Sequence, residues 1–184
     1  ELEKFCLELN LKSFKTKQIW NWIYCFGKTN FQEMTNLDKK TRKLLEDCSF
    51  VYRPKINNIH MSQDGTIKWL LEMDDKSLIE TVFIPQSKRG TICISSQVGC
   101  TLNCTFCNTG TQKLVRNLNA YEILGQIFTV IDHLNDWPMS KTNRKVTNLV
   151  MMGMGEPLLN YENVKKALKI VMSPNAVSYT HLRA

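Results

Sequence analysis

A chain of 184 residues with 24 Lys and Arg against 17 Asp and Glu carries a net charge of +7 and a pI near 9.1, a balance that favours a polyanionic partner such as RNA. Its 43% hydrophobic content supports a packed core, while no apolar run approaches a bilayer span and no signal-peptide pattern opens the chain. Seven cysteines, an odd count without an export signal, imply reduced thiols and a cytoplasmic address in place of a disulfide framework.

The first element is helical. Phe14 to Phe26 sets Ile19, Trp20, Ile23 and Phe26 at helical spacing, with Gly27 as the stop. Asp38 to Asp47 gives a second helix, with Leu37, Leu44 and Leu45 on one side and Lys39, Lys40, Arg42 and Lys43 mostly on the other. Trp20 and Trp22, beside the apolar stripe, are expected in the core. These elements form a helical accessory domain over residues 1–50. From Val51 the period changes. Tyr52 to His60, Thr66 to Met73 and Leu78 to Ile84 are β-rich runs separated by polar turns, an antiparallel meander over 51–87 with Pro54 suited to its edge.

A strand at Thr91 to Ser96 follows. Asn119 and Glu122 make a capping-box start for a helix bearing Ile123, Leu124, Ile127, Phe128 and Ile131. Val146 to Met152 suits a buried parallel strand, and Tyr161 to Met172 an amphipathic helix. Strand–loop–helix twice over, residues 88–176, begins a β/α barrel, so the fold class is α/β.

Between the first such strand and its helix lie Cys100, Cys104 and Cys107, spaced C-x3-C-x2-C. Three thiolates in a short loop can hold three irons of a cubane [4Fe–4S] cluster and leave the fourth iron open to a small molecule. Structural zinc needs four ligands, usually two separated cysteine pairs, and no second pair follows. After the next strand comes Met152-Gly153-Met154-Gly155-Glu156-Pro157. Its glycines admit a ligand close to the backbone, and Glu156 offers a carboxylate to a cationic group. Both features fall at C-terminal ends of adjacent strands, where barrel active sites gather.

The cysteine triplet followed by a Gly-Glu-Pro loop resembles the radical SAM superfamily. That resemblance implies a [4Fe–4S] cluster on Cys100, Cys104 and Cys107, with the methionine end of S-adenosylmethionine on the open iron. It implies that Gly155 and Glu156 contact the SAM amino group and that Phe106 lies near its adenine. Ile79 to Pro85, Cys93 to Cys100, Val115 to Leu118 and Met151 to Asn160 resemble, more closely, the bacterial methyltransferases of adenine carbon 2 in 23S ribosomal RNA and transfer RNA. Lys17 to Tyr24 and Glu33 to Leu37 resemble that family's helical accessory domain. Carbon 2 of adenine is electron-poor, so polar methyl transfer fails there. In the family a methylated cysteine in the C-terminal part, activated by a second SAM, adds its methylene radical to the ring. The match gives Glu80 the role of base for the carbon 2 proton, and Cys93 that of the cysteine resolving the RNA–protein adduct. It implies a cytoplasmic monomer served by an electron donor such as flavodoxin.

The match runs to about Asn175. Cys6, Cys25, Cys48 and Asn108 take no family role, and the methyl-carrying cysteine and later barrel strands are missing. Val177 to Ala184 can be encoded by GTC TCT TAT ACA CAT CTC CGA GCC, a transposase mosaic end running into a sequencing adapter. The expectation is therefore adapter read-through over 177–184 and a truncated, inactive fragment. Two alternatives are a related adenine carbon 8 methyltransferase, which Ile84-Pro85, Val98 and Pro157 fit less well, and a non-catalytic metal-stabilised RNA-binding module. Lys88, Arg89, Lys113 and Arg116 near the active face, with the four basic residues of the second helix, form the expected RNA footprint.

Overall fold

The N-terminal helices are α1 (Leu2–Glu8), α2 (Ser13–Tyr24) and α3 (Lys39–Cys48), with a 3-10 turn at Phe31–Glu33. This computed structural model describes residues 1–102, 104–138, 144–173 and 182–183. The helices close on a small core of Cys6, Leu11, Ile19, Phe31, Met34, Leu37 and Leu45. Asp38 caps α3 by accepting from the Thr41 amide at 2.9 Å, and it also takes the Lys15 ammonium. Gly27 ends the α2 segment at φ +66°, and any side chain there would strike the Trp137 indole. Trp20 and Trp22 are half-buried rather than core. Trp22 turns its N–H to Asn36 at 2.6 Å, because an indole nitrogen needs a polar partner.

Strands β1 (Lys55–Met61), β2 (Ile67–Glu72) and β3 (Leu78–Gln86) form the antiparallel meander. A two-residue turn at Ser87 and Lys88 leads into β4 (Arg89–Cys93), which pairs antiparallel with β3. The meander and the first barrel strand thus belong to one sheet. Short strands β5 (Gln97–Val98) and β6 (Arg116–Asn117) pair with each other on either side of the cysteine loop. Helix α4 (Ala120–His133) crosses over to β7 (Asn148–Val150), parallel to β4. Helix α5 (Tyr161–Val171) follows. A last pair, β8 (Leu182–Arg183), lies parallel to β7. Sheet order is β1-β2-β3-β4-β7-β8, an α/β arrangement of two β/α units extended by antiparallel strands. The rest of 177–184 lies outside the described residues.

Period-two patterning decides which face is covered. Ile67, Trp69, Leu71, Ile79, Phe83 and Ile92 alternate inward and meet Ile123, Ile127, Phe128, Val130 and Ile131. Each such large side chain contributes about 1.5–3 kcal/mol by leaving water. Glu122 closes the first turn of α4 by accepting from the Asn119 amide at 2.7 Å. Helix α4 therefore covers one face of the sheet and leaves Lys68, Glu80, Val82 and Cys93 on the other.

Candidate active site

The two loops of the site hang from the six residues after β4. Ile94 continues the parallel register by donating to Val150 O at 3.0 Å. Gly99 then turns the chain at φ +75°, with no room for a Cβ against the Lys113 carbonyl. The cysteine loop opens here and is pinned at its base by the Cys100 amide on Gln112 O at 3.2 Å. Inside it, Cys107 N donates to Cys104 O at 3.0 Å, and Gly110 N to Cys107 O at 3.0 Å. The Leu102 amide donates to Cys100 Sγ at 3.4 Å, the kind of contact that stabilises a thiolate ligand. Cys100, Cys104 and Cys107 are all free and half-buried, and Phe106 between the last two is 91% exposed. Among the described residues no three His, Cys, Asp or Glu side chains are grouped as a single metal ion would need. A cubane presents a separate iron to each thiolate, so its ligands need not meet at one point. The donor set fits a cluster better than a lone zinc.

The glycine loop is laced to the same six residues. Gly153 N donates to Ile94 O at 3.0 Å, and a Cβ on Gly153 would collide with that carbonyl. Ser95 Oγ accepts from Met154 N at 2.9 Å and donates to Glu80 O at 2.7 Å. The Gln97 side chain accepts from Glu156 N at 2.8 Å and donates to Asn117 at 2.7 Å. Asn160, also buried, donates to Ser96 O at 2.8 Å and Leu118 O at 2.7 Å. Gln126 of α4 accepts from Thr81 Oγ1 at 2.9 Å and Ser95 N at 2.8 Å, and returns a bond to Ser95 O at 2.9 Å. These buried amides have partners on both sides, so they fix the loops without an unpaired polar group. The sequence reading missed them. The available signal was a Gln inside the otherwise apolar stripe of α4.

Glu80 and Cys93 share the uncovered face of the sheet. Cys93 pairs with Val82, which makes Glu80 its diagonal neighbour, about 7–8 Å away by strand geometry. Glu80 lies within β3 and pairs with Lys68 at 2.8 Å, both about half exposed. Asn58, His60, Lys68, Leu70 and Glu80 line a shallow groove there. Burial pushes the Cys93 thiol above the ordinary cysteine range, opposed by a hydrogen bond from the Met152 backbone.

Two parts of the expected RNA footprint are placed differently. The Arg116 guanidinium makes a two-pronged contact with buried Glu122 at 2.8 and 2.9 Å, and a third with Asp75 at 2.6 Å. It is a structural clamp. Lys88 and Arg89 stand at the N-terminal end of β4, opposite the cysteine loop, because the strand begins at Arg89 and the loop follows its other end. Lys113 is exposed beside the cysteine loop, where it bridges Cys100.

Residues 1–51 match the family model of the ribosomal RNA large subunit methyltransferase N-terminal domain. The chain is 50% identical over 182 residues to the dual-specificity RNA methyltransferase RlmN of Rhizorhabdus wittichii, covering 99% of this chain and 45% of that protein. It is 50% identical over 169 residues to the RlmN of Zymomonas mobilis, covering 92% of this chain and 43% of that one. The crystal structure of a radical SAM methyltransferase from Sphaerobacter thermophilus superposes with a TM-score of 0.86 at 33% identity, over 97% of this chain and 51% of that one. The chain thus spans about half the length of the relatives it matches. In sequence and fold, nearly all of the chain is thus similar to the matching half of RlmN-type radical SAM methyltransferases.

Proposed function

We propose that this chain is the cluster-binding part of an enzyme that methylates carbon 2 of adenine in 23S rRNA and tRNA through a methyl-cysteine. The observation that supports this best is the lacing of two loops onto one strand end. Gln97 bonds the glycine loop at Glu156 and the exit of the cysteine loop at Asn117. A ligand spanning the open iron and a carboxylate needs those two loops held in one frame.

Cys100, Cys104 and Cys107 would hold the [4Fe–4S] cluster. Gly155 would let the methionine end of SAM approach, and the Glu156 carboxylate would accept from its ammonium. Phe106 would lie against the adenine. When bound, the cluster supplies the electron that cleaves SAM reductively. The remaining chemistry belongs to side chains on the open sheet face. The Glu80 carboxylate takes the proton from carbon 2, and the Lys68 ammonium holds that carboxylate in place. Cys93, kept protonated at rest by its burial, gives up its proton and attacks the sulfur of the methyl-carrying cysteine. A disulfide forms as the bond from that sulfur to the methylene carbon breaks; the electron pair of that bond passes to the methylene carbon, which takes up a proton to become the methyl group, and the RNA is released. The partners are 23S rRNA, tRNA and an electron donor such as flavodoxin, for a cytoplasmic monomer. Among the described residues no helix is long and apolar enough to cross a membrane.

Anaerobic reconstitution with iron and sulfide tests the reading. It should give a brown protein with absorption at about 400 nm and about four irons per chain, lost on replacing Cys100, Cys104 and Cys107 by Ala. Stoichiometric zinc without colour would overturn it.

A further inference from the structure

The shallow groove on the open sheet face has one wall that the chemistry above leaves idle. Asn58 pairs with Leu70 and Leu70 with Glu80, so the three stand in one row across β1, β2 and β3. Two strand spacings of about 4.8 Å set Asn58 about 9.6 Å from Glu80, with half-buried Leu70 as an apolar floor between them. A β-bulge puts Asn58 there. Counting on from the Ile56–Leu71 pair, Asn57 would oppose Leu70, and the extra residue moves Asn58 into that place. Asn58 Oδ1 accepts from the Ile59 amide at 2.8 Å. That bond fixes which end of the side chain is oxygen and leaves Nδ2 a donor without a partner among the described residues. Lys68, in contrast, is engaged by Glu80 at 2.8 Å.

We infer that Asn58 selects the acceptor base, holding adenine by its N6 and N7 edge so that carbon 2 faces Glu80. The inference rests on the function proposed above. At 160 Å³ the groove is smaller than the clefts of about 300–1,000 Å³ that take drug-sized ligands, so its occupant is one small flat group. A base drawn out of its stack is such a group, and Leu70 offers it an apolar surface. In adenine, carbon 2 lies on the side of the ring opposite N6 and N7. A carboxamide matches that N6 and N7 edge: Nδ2 donates to N7, and the second lone pair of Oδ1 accepts from N6–H. The base then bridges the row, with Asn58 at one edge and the Glu80 carboxylate at the other. Guanine presents a carbonyl where adenine has N6–H, so two acceptors would meet at Oδ1, and its carbon 2 carries no hydrogen to remove.

The test uses the 184-residue chain without its cluster, labelled with nitrogen-15 and titrated with adenosine or 7-deazaadenosine, which has C–H in place of N7. Iron and colour decide the cluster reading, and the Asn58 side-chain amide signal decides this one, so the two can fail separately. Adenosine should shift that signal, identified by its absence from Asn58→Asp. The native chain should bind 7-deazaadenosine at least about fivefold more weakly than adenosine. Asn58→Asp keeps an acceptor for the Ile59 amide and loses the donor, so it should bind the two nucleosides alike. A nuclear Overhauser contact should link adenosine H2 to the Glu80 side chain. An unmoved Asn58 signal, equal affinities in the native chain, the same preference kept in Asn58→Asp, or H2 in contact with Asn58 instead would each overturn the proposal.

Discussion

Gly155 shows how one backbone angle bears on chemistry. At φ +87° it stands in the left-handed region, and a Cβ there would come within 2.4 Å of Gln97 Cβ. Gly155→Ala should therefore cost about 1–3 kcal/mol in urea unfolding and displace Glu156 from the Gln97 carbonyl. Gly65→Ala is the comparison, with φ +83° but only Pro85 Cγ at 3.2 Å, and it should cost less. Equal costs would mean that the close approach to Gln97 is not what requires glycine. Cys93 makes a second prediction. A thiol raised by burial stabilises the fold fully below the unfolded cysteine pKa of about 8.5, and that contribution is lost as pH rises through the folded value. At pH 8 iodoacetamide should label Cys93 far more slowly than exposed Cys48, and the two should label alike once the chain is unfolded. Equal rates in the native chain would remove the argument that Cys93 rests as a thiol.

Among elements, the joint between the meander and α4 turns on Arg116. Its guanidinium ties the β2–β3 turn at Asp75 to the capping Glu122, whose side chain is 2% exposed. Arg116→Ala would leave that carboxylate buried and unpaired, a loss of about 3–5 kcal/mol measurable by denaturant titration. The Arg116 hydrogen bond also holds the Asp75 carboxyl well below the usual carboxylate range. A depressed carboxylate contributes stability above its unfolded pKa of about 3.9 and loses it as pH falls, so the variant should show a shallower acid limb than the native chain. An unchanged acid limb would mean that Asp75 gains nothing from Arg116. Nothing in the sequence announced this role, because an Arg before Asn117-Leu118 reads equally as an RNA contact. What was legible is what periodicity and motif encode: the helices around Ile19 and Leu45, the meander, the Asn119–Glu122 start of α4 and the two loops at strand ends. Long-range register was not legible. The Ser87–Lys88 turn joins meander to barrel strand in one sheet, and it also sends Lys88 and Arg89 to the far end from the cysteines. Trp20 and Trp22 misled for a related reason, since an apolar stripe fixes the side of a helix but not how deeply the neighbouring ring sinks.

Across the whole molecule Arg53 ties the helical core to the sheet core. Arg53 donates from Nε to Asp132 at 2.7 Å, reaches Gly27 O at 3.3 Å from its other end, and lies 4.8 Å above the Phe128 ring. Asp132 in turn takes the Trp137 indole N–H at 2.6 Å, and Trp137 packs where Gly27 leaves no Cβ. Tyr24 of α2 completes the joint, with its ring 5.8 Å from Phe128. The pair is only partly exposed, 15% for Arg53 and 38% for Asp132, so its attraction is less screened than that of a surface pair. Removing one arginine therefore removes an ion pair, a cation–π contact and a link to the end of the α2 segment together. Arg53→Ala should lower stability by about 2–3 kcal/mol and split calorimetric melting into two transitions, the helices of residues 1–51 melting first. Arg53→Lys keeps the charge but not the planar fork that reaches both Asp132 and Gly27, so it should fall between the two. A single transition at the native midpoint in Arg53→Ala would show that the two cores are coupled through the Tyr24, Phe128 and Trp137 rings instead.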